Sequence, residues 1–374
     1  MAFFKALQAV RRLGHPSGGV KGSEQPQVDG TDPGRQARPR LEDVAAEVGL
    51  SQASVSLVLR GAAGPSAATR ERVLEAAARL GYRPDRAASL LARRRSRLIG
   101  VMLDIRSDYH GELVEDVHEA AEQHGYDLVL STVTRTRDER RAVETLLDSR
   151  CEALVLLGPD APAAWLAELD RQLPVVVVGR PIGSPGVDIV RAADDQGVSL
   201  SVDHLVGLGH SDIAYVDGGA GEIAAARRRG YQRAMRRHGL AHHIRVLRGD
   251  HTEEAGIRAA AVLTGPAPGP TAVVTFNDRV AVGLLDALSR AGVAVPGDIS
   301  VVGYDDSPLS RLAHVGLTTV SQNSRALTEH AVTAVVERLD GGRTTHREVV
   351  LPPYLVVRTT TAPPRPSPGH PPNG

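Results

Sequence analysis

The chain has 374 residues, no formal net charge and one cysteine, Cys151; that length exceeds what a single core usually serves, so two or three domains are expected. A lone thiol excludes an intrachain disulfide and argues against a cysteine zinc site, and the lack of any run of about 18 apolar residues gives no support to a membrane-spanning helix. The zero charge hides a polarity: residues 35–97 hold 13 Arg against six acidic residues, whereas residues 98–374 hold 27 Lys or Arg against 35 Asp or Glu. A basic head on an acidic body is the asymmetry of a nucleic-acid-binding module joined to something else.

In chain order, residues 1–38 are rich in Gly, Pro, Ser and Gln with little apolar periodicity, and are expected to form a disordered extension. No small-residue cleavage site follows the opening segment, so an export signal is not expected. Residues 39–84 carry three short helical patterns, with apolar sets Leu41/Val44/Ala45/Val48, Val55/Val58/Leu59 and Val73/Leu74/Ala77/Leu80. Ser51 and Ser66 are expected N-caps and Gly81 a helix stop. LEDVAAEVGLSQASVSLVL has the pattern of a helix-turn-helix, in which the N-terminal residues of the second helix meet base edges in the major groove. An apolar inner face leaves Gln52, Ala53, Ser54, Ser56 and Leu57 outward.

Beyond residue 97 aliphatic strands alternate with amphipathic helices: LIGVML, DLVL, ALVLL and VVVV, then IAYV, IRVL, AVVTF and ISVVG. Such alternation predicts parallel sheets covered by helices on both faces, in two α/β lobes with a cleft between them. GAGEIA at 219–224 imitates a dinucleotide turn but lacks an acidic residue at the ribose distance, so a plain tight turn is expected. His238, His242 and His243 lack helical metal spacing and read as surface histidines. No nucleophile, metal or cofactor constellation is present, so the chain is not expected to be an enzyme and no cofactor or metal is assigned.

LEDVAAEVGLSQASVSLVLRG with SAATRERVLEAAARLGYRPDRAASLLARRRSRLIGV resembles the head and hinge of the LacI/GalR family of transcription regulators. DHLVGLGHSDIAYVDG, RRRGYQRAM, VVTFNDRVAVGLLDALSRAGVAVPGDISVVGYDDS and LTTVSQ are similar to that family's periplasmic-binding-protein-like core, and the likeness runs from about residue 40 to 360. It implies a helix-turn-helix at 39–84, a hinge helix and linker at 85–97 and a core at 98–360. Lobe 1 would take about 98–192 and 322–346, lobe 2 about 193–321 and 347–360, with a disordered Pro-rich tail at 361–374. Base contacts fall to Gln52, Ala53 and Leu57, where Gln can bond adenine and Ala can lie on a thymine methyl. Leu57 replaces a frequent Arg, and Arg40 the usual Thr cap, for which Asp43 compensates only partly through the helix dipole. The resemblance places phosphate contacts at Ser51, Ser54, Ser56, Arg60, Arg70, Arg83 and Arg86, supported by the arginine run to Arg97, and the minor-groove wedge at Ala88 and Leu91.

In the core it implies an effector site at Tyr109, His110, Arg227, Asn277 and Asp305, polar equipment for a sugar or related polyol. The function so implied is a cytoplasmic, nucleoid-associated repressor that binds double-stranded palindromic operator DNA as a homodimer under a small effector. No heptad follows Val357, so a dimer without a tetramerising helix is expected. The rivals are a solute-binding protein of transport, which should lack the basic head, and a cleft-bearing enzyme. A partner protein in place of the small effector is a further alternative.

Overall fold

The computed structural model describes residues 39–59, 61–82, 95–183, 186–265 and 269–365. They belong to two units, one ending at Ala92 and one beginning at Arg93, each taken by itself below.

In the first unit, α1 (Leu41–Val48), α2 (Gln52–Leu59) and α3 (Ala67–Leu80) enclose a small aliphatic core. Val44, Ala45, Val48, Val55, Val58, Val73, Ala76 and Ala77 are buried in it. The expectation for Leu74 is corrected: it is 50% exposed, and Ala76 takes the inward place. A 14-residue helix presents only one stripe to two short partners, and the stripe at 73, 76, 77 and 80 excludes position 74. α1 ends at Gly49, whose φ of +66° lets its N–H and that of Leu50 reach back to Ala45 and Ala46 carbonyls before the chain turns into α2. Ser51 Oγ accepts from the Ser54 N–H at 3.2 Å and Ser66 Oγ from the Thr69 N–H at 3.2 Å, while Gly81 closes α3 in the left-handed region. Arg40 cannot accept a hydrogen bond through its guanidinium. Asp43 nevertheless does more than oppose the dipole, since its carboxylate accepts the Arg40 N–H at 2.6 Å.

The second unit opens with lobe 1. Its six-stranded sheet contains β1 (Leu98–Asp104), β2 (Asp127–Val133), β3 (Ala153–Leu157), β4 (Val175–Val178), β5 (Asp188–Ala192) and β11 (Glu348–Leu351). The order is β11-β5-β4-β3-β1-β2 and every pairing is parallel. On one face lie α4 (Asp108–Gln123) and α11 (Ser324–Leu339), on the other α5 (Glu139–Asp148) and α6 (Ala163–Asp170). Strands covered on both sides must be apolar on both sides, which is why β3 and β4 read as unbroken Leu and Val runs.

Lobe 2 repeats the scheme with β6 (Ile213–Val216), β7 (Arg245–Leu247), β8 (Ala272–Thr275) and β9 (Ser300–Val302), parallel and ordered β7-β6-β8-β9. α9 (Glu253–Leu263) and α10 (Asp278–Arg290) cover one face, α7 (Asp194–Gly207) and α8 (Glu222–Arg237) the other. Gly230 lets α8 lie directly on α7, because a Cβ there would run into the Asp195 carbonyl. β10 (Thr319–Ser321) and β12 (Tyr354–Val356) form an antiparallel pair, and bridges from Val302 to Thr318 and from Asp305 to Ser321 continue the β9 edge.

The chain passes between lobes three times, near 192–194, 321–323 and 351–354. The third lies after Leu351 rather than at residue 346, because Glu348–Leu351 pairs with β5 and so belongs to lobe 1. Residues 361–365 also depart from the expected disordered tail. Ser300 Oγ accepts from the Ala362 N–H at 3.1 Å, the Ala362 carbonyl meets His210 Nε2 at 2.8 Å, and Arg365 pairs with Asp298. Prolines remove donors there but leave carbonyls free to accept.

Candidate functional sites: DNA-reading head and interlobe cleft

On the head, Val55 and Val58 turn inward, which forces Gln52, Ala53 and Leu57 outward. Leu57 is 38% exposed, a large apolar side chain that the head's own core does not use. Ser51 and Ser54 hydroxyls lie 2.9 Å apart and bond each other, capping α2, and Ser56 is half-buried. Arg70 donates to the Ala62 carbonyl at 3.0 Å and Arg72 to the Val48 carbonyl at 2.8 Å, so the first guanidinium fastens the segment before α3 and the second the end of α1. Arg60, Arg83, Arg86, Ala88 and Leu91 lie outside the described residues. In the core unit, Arg95 and Arg97 are not free members of a phosphate-attracting run. Arg95 holds Glu152 at 2.7 Å and the Tyr126 hydroxyl at 2.6 Å, and Arg97 holds Asp340 at 3.1 Å.

The cleft residues sit at the carboxyl ends of strands in both lobes, where open parallel sheets present their loops. Arg227 projects from α8 and is only 4% exposed. Its Nε donates to Asp194 Oδ1 at 2.7 Å, its Nη1 to the Phe276 carbonyl at 2.6 Å, and its Nη2 stands 3.6 Å from Asp305 Oδ1. Phe276 and Tyr304 flank the guanidinium, whose centre lies 3.6 Å from the Tyr304 ring centroid. Asp305 accepts from Gln322 Nε2 at 2.7 Å and holds φ at +119°, a backbone strain of the kind that clusters at ligand clamps. Burial raises the Asp305 carboxyl well above the usual carboxylate range, with Arg227 opposing the rise.

Tyr109 and His110 open α4 behind the Ser107 cap. The Tyr109 hydroxyl is buried without a hydrogen-bond partner among the described residues, and it feels the charges of Asp305, Arg227 and Glu112. His110 Nδ1 accepts the Asp104 N–H at 3.1 Å, which puts the proton of the neutral ring on Nε2, toward Gly158 at the end of β3. Burial pushes the His110 pKa down to about 4. Asn277 stands at the expected strand end, yet its amide is already engaged: Oδ1 accepts from the Val280 N–H at 2.9 Å as the N-cap of α10, and Nδ2 donates to the His251 carbonyl at 3.3 Å. The structure thus gathers Arg227, Asp305 and Tyr109 around one point, with His110 on the lobe 1 floor and Asn277 serving its helix.

Residues 40–85 match the bacterial regulatory proteins of the lacI family, and residues 202–361 match the periplasmic binding protein-like domain. The lactose operon repressor of Escherichia coli K12 is 33% identical over 330 residues, spanning 87% of this chain and 91% of that protein. This chain belongs to the lacI family. Among solved structures, a lac repressor dimer bound to operator and the anti-inducer ONPF is similar with a TM-score of 0.75 and 30% identity, over 87% of this chain and all of that one. A complex of the transcriptional regulator CelR with cellobiose is similar with a TM-score of 0.63 and 29% identity, over 86% of this chain and all of that one. The family consists of regulators rather than enzymes, as the lack of a catalytic constellation in the sequence suggested.

As a lacI-family core, the second unit surrounds Arg227 with residues that the sequence alone did not single out. Asp194 is the principal partner of Arg227, and Tyr304 and Phe276 are its aromatic walls. Tyr304 is legible in GYDD, directly before Asp305. A second omission is the contact between lobes: Arg311 Nη2 holds Glu112 Oε1 at 2.7 Å, and Arg279 donates to the Arg106 carbonyl. Glu112→Gln is expected to loosen this lacI-family core, seen as a larger radius of gyration in small-angle X-ray scattering. The effect is bounded at about 0.2–1 kcal/mol because Arg311 is half exposed. Unchanged scattering would mean that this pair does not hold the lobes.

Proposed function

We propose that this lacI-family regulator is a repressor that binds a palindromic operator as a homodimer in the cytoplasm, at the nucleoid, under the control of a sugar-like effector in the interlobe cleft. The observation that carries the effector reading is Arg227, fixed by Asp194 and Phe276 while one edge of its fork faces Asp305 and the unpartnered Tyr109 hydroxyl. A fixed guanidinium, a carboxyl and a phenol offer donors and acceptors at short spacing, and aromatic rings supply apolar faces, as neighbouring sugar hydroxyls on an apolar ring require. The cellobiose complex of CelR, a structural neighbour, supports a saccharide. The operator-bound dimer of the lac repressor supports the symmetric DNA reading.

Control then requires the effector to bind one lobe arrangement better than another, with a coupling of about 1–3 kcal/mol as a typical size. Thermal melts across neutral mono- and disaccharides test the class, since a ligand at 100 times its Kd adds about 2.7 kcal/mol. A panel without any shift would reject the saccharide reading.

The half-site is read by Gln52 and Ala53, with Leu57 making apolar contact and no arginine fork at its position. Gln52→Ala is expected to lose discrimination at one position of each half-site by about 1–3 kcal/mol. Selection of bound DNA from a random pool measures this, and an unchanged base preference would remove Gln52 from the code.

A further inference from the structure

Away from the cleft, a groove of about 600 Å³ runs along the outer side of α8. Arg229, Arg233 and Arg236 line it from that helix and Arg191 from β5, with Gln232 between them. Positions 229, 233 and 236 fall on one stripe of a helix, so three like charges are stacked at spacings that repel. Arg191 and Arg233 are anchored, the first to Glu348 at 2.6 Å and the second to Asp195. The side chains of Arg229 and Arg236 make no hydrogen bond or ion pair among the described residues. The groove therefore pairs two fixed guanidiniums with two uncommitted ones.

We propose that this groove binds a small phosphorylated metabolite through its phosphate. Guanidinium forks match phosphate oxygens two at a time, and a dianion relieves the repulsion along the stripe. A nucleic acid fits less well, because Asp195 and Glu348 stand at the arginines and Asp203 lines the adjoining groove, so successive phosphates of a strand would meet carboxylates. The site goes beyond the cleft reading and does not depend on it, yet it touches the same parts. α8 carries Arg227 into the cleft from its other side, and Asp195 follows the Asp194 that holds Arg227. Since Arg191 belongs to lobe 1 and α8 to lobe 2, a bound phosphate ties the lobes together from outside.

Isothermal titration of the full chain tests this with inorganic phosphate and glycerol 3-phosphate as probes, glycerol as the neutral control, at constant ionic strength. Both phosphates are expected to bind saturably and glycerol not at all, and the R229Q/R236Q double substitution is expected to weaken phosphate binding at least roughly tenfold. The melting temperature of the unliganded variant should be unchanged, because neither side chain holds a bond. The proposal is overturned by the absence of phosphate binding up to about 10 mM. It is equally overturned by undiminished affinity in the double variant, which places the anion elsewhere. Loss of oligonucleotide binding in that variant, with no response to either phosphate probe, would assign the groove to nucleic acid and also overturn it.

Discussion

Replacing Arg227 with Leu is expected to abolish effector binding and to destabilise the core by roughly 3–5 kcal/mol, the usual result of breaking a buried ion pair from one side. Asp194 and Arg227 are both almost wholly removed from solvent, and the carboxylate accepts the Arg227 Nε–H at 2.7 Å. Burial already raises the Asp194 pKa, and Arg227 is the largest opposing influence. Without the arginine the carboxyl must protonate or remain charged in an apolar place. A folded-state pKa above the unfolded one means stability is fully present at low pH and is lost as pH rises through the folded value. The R227L defect should therefore be larger at pH 8 than at pH 5 in urea denaturation. The double substitution R227L/D194N should recover part of the stability but none of the ligand binding, which separates the two roles. A loss below about 1 kcal/mol, within what an exposed pair gives, would show that Asp194 does not depend on Arg227.

His110 governs the opposite limb of the pH profile. Its pKa is held down to about 4 by burial, against 6.5 for the free side chain. A depressed folded pKa makes the unfolded chain the better proton acceptor, so its contribution is present above 6.5 and is lost as pH falls toward 4. At pH 5 these two values correspond to about 2 kcal/mol lost relative to neutral pH. His110→Phe keeps the ring volume and removes the titration, so it should melt with a smaller penalty between pH 7 and pH 5 than the parent. Asp278 and Asp305, whose pKa values burial raises, act in the other direction and are common to both proteins, so the difference between them isolates His110. Equal penalties in the two proteins would show that the imidazole is already hydrated in the folded chain.

Much of this was legible in the residues because buried parallel strands have little choice of composition. ALVLL and VVVV could be placed without a structure, whereas Arg227, three residues before Gly230, and Asp305 in GYDD are pointed to by the family resemblance alone. What escaped was held by long-range pairing rather than periodicity. β5 reads DIVRA, with a buried Asp188 satisfied by Arg343 at 2.8 Å and an Arg191 tied to Glu348, charges that a strand pattern does not predict. Missing β5 meant missing Asp194, which begins the next helix. Asn277 shows another kind of ambiguity: FNDR serves equally as a ligand-facing turn and as an N-cap, and only geometry shows the amide oxygen accepting from the Val280 N–H. The head was the easiest part, since Gly49 and Ser51 announce its turn and five valines mark its inner side.

The late return of β11 to the lobe 1 sheet sets a schedule during translation. β5 is complete at Ala192, but the strand that covers its edge does not begin until Glu348. At a synthesis rate of about 5–20 residues per second, the ribosome leaves that edge open for roughly 8–30 seconds. An uncovered strand edge invites pairing with other nascent chains, and a charged side chain on it is a known deterrent. Arg191, the penultimate residue of β5, is placed to act as that guard until Glu348 arrives to neutralise it.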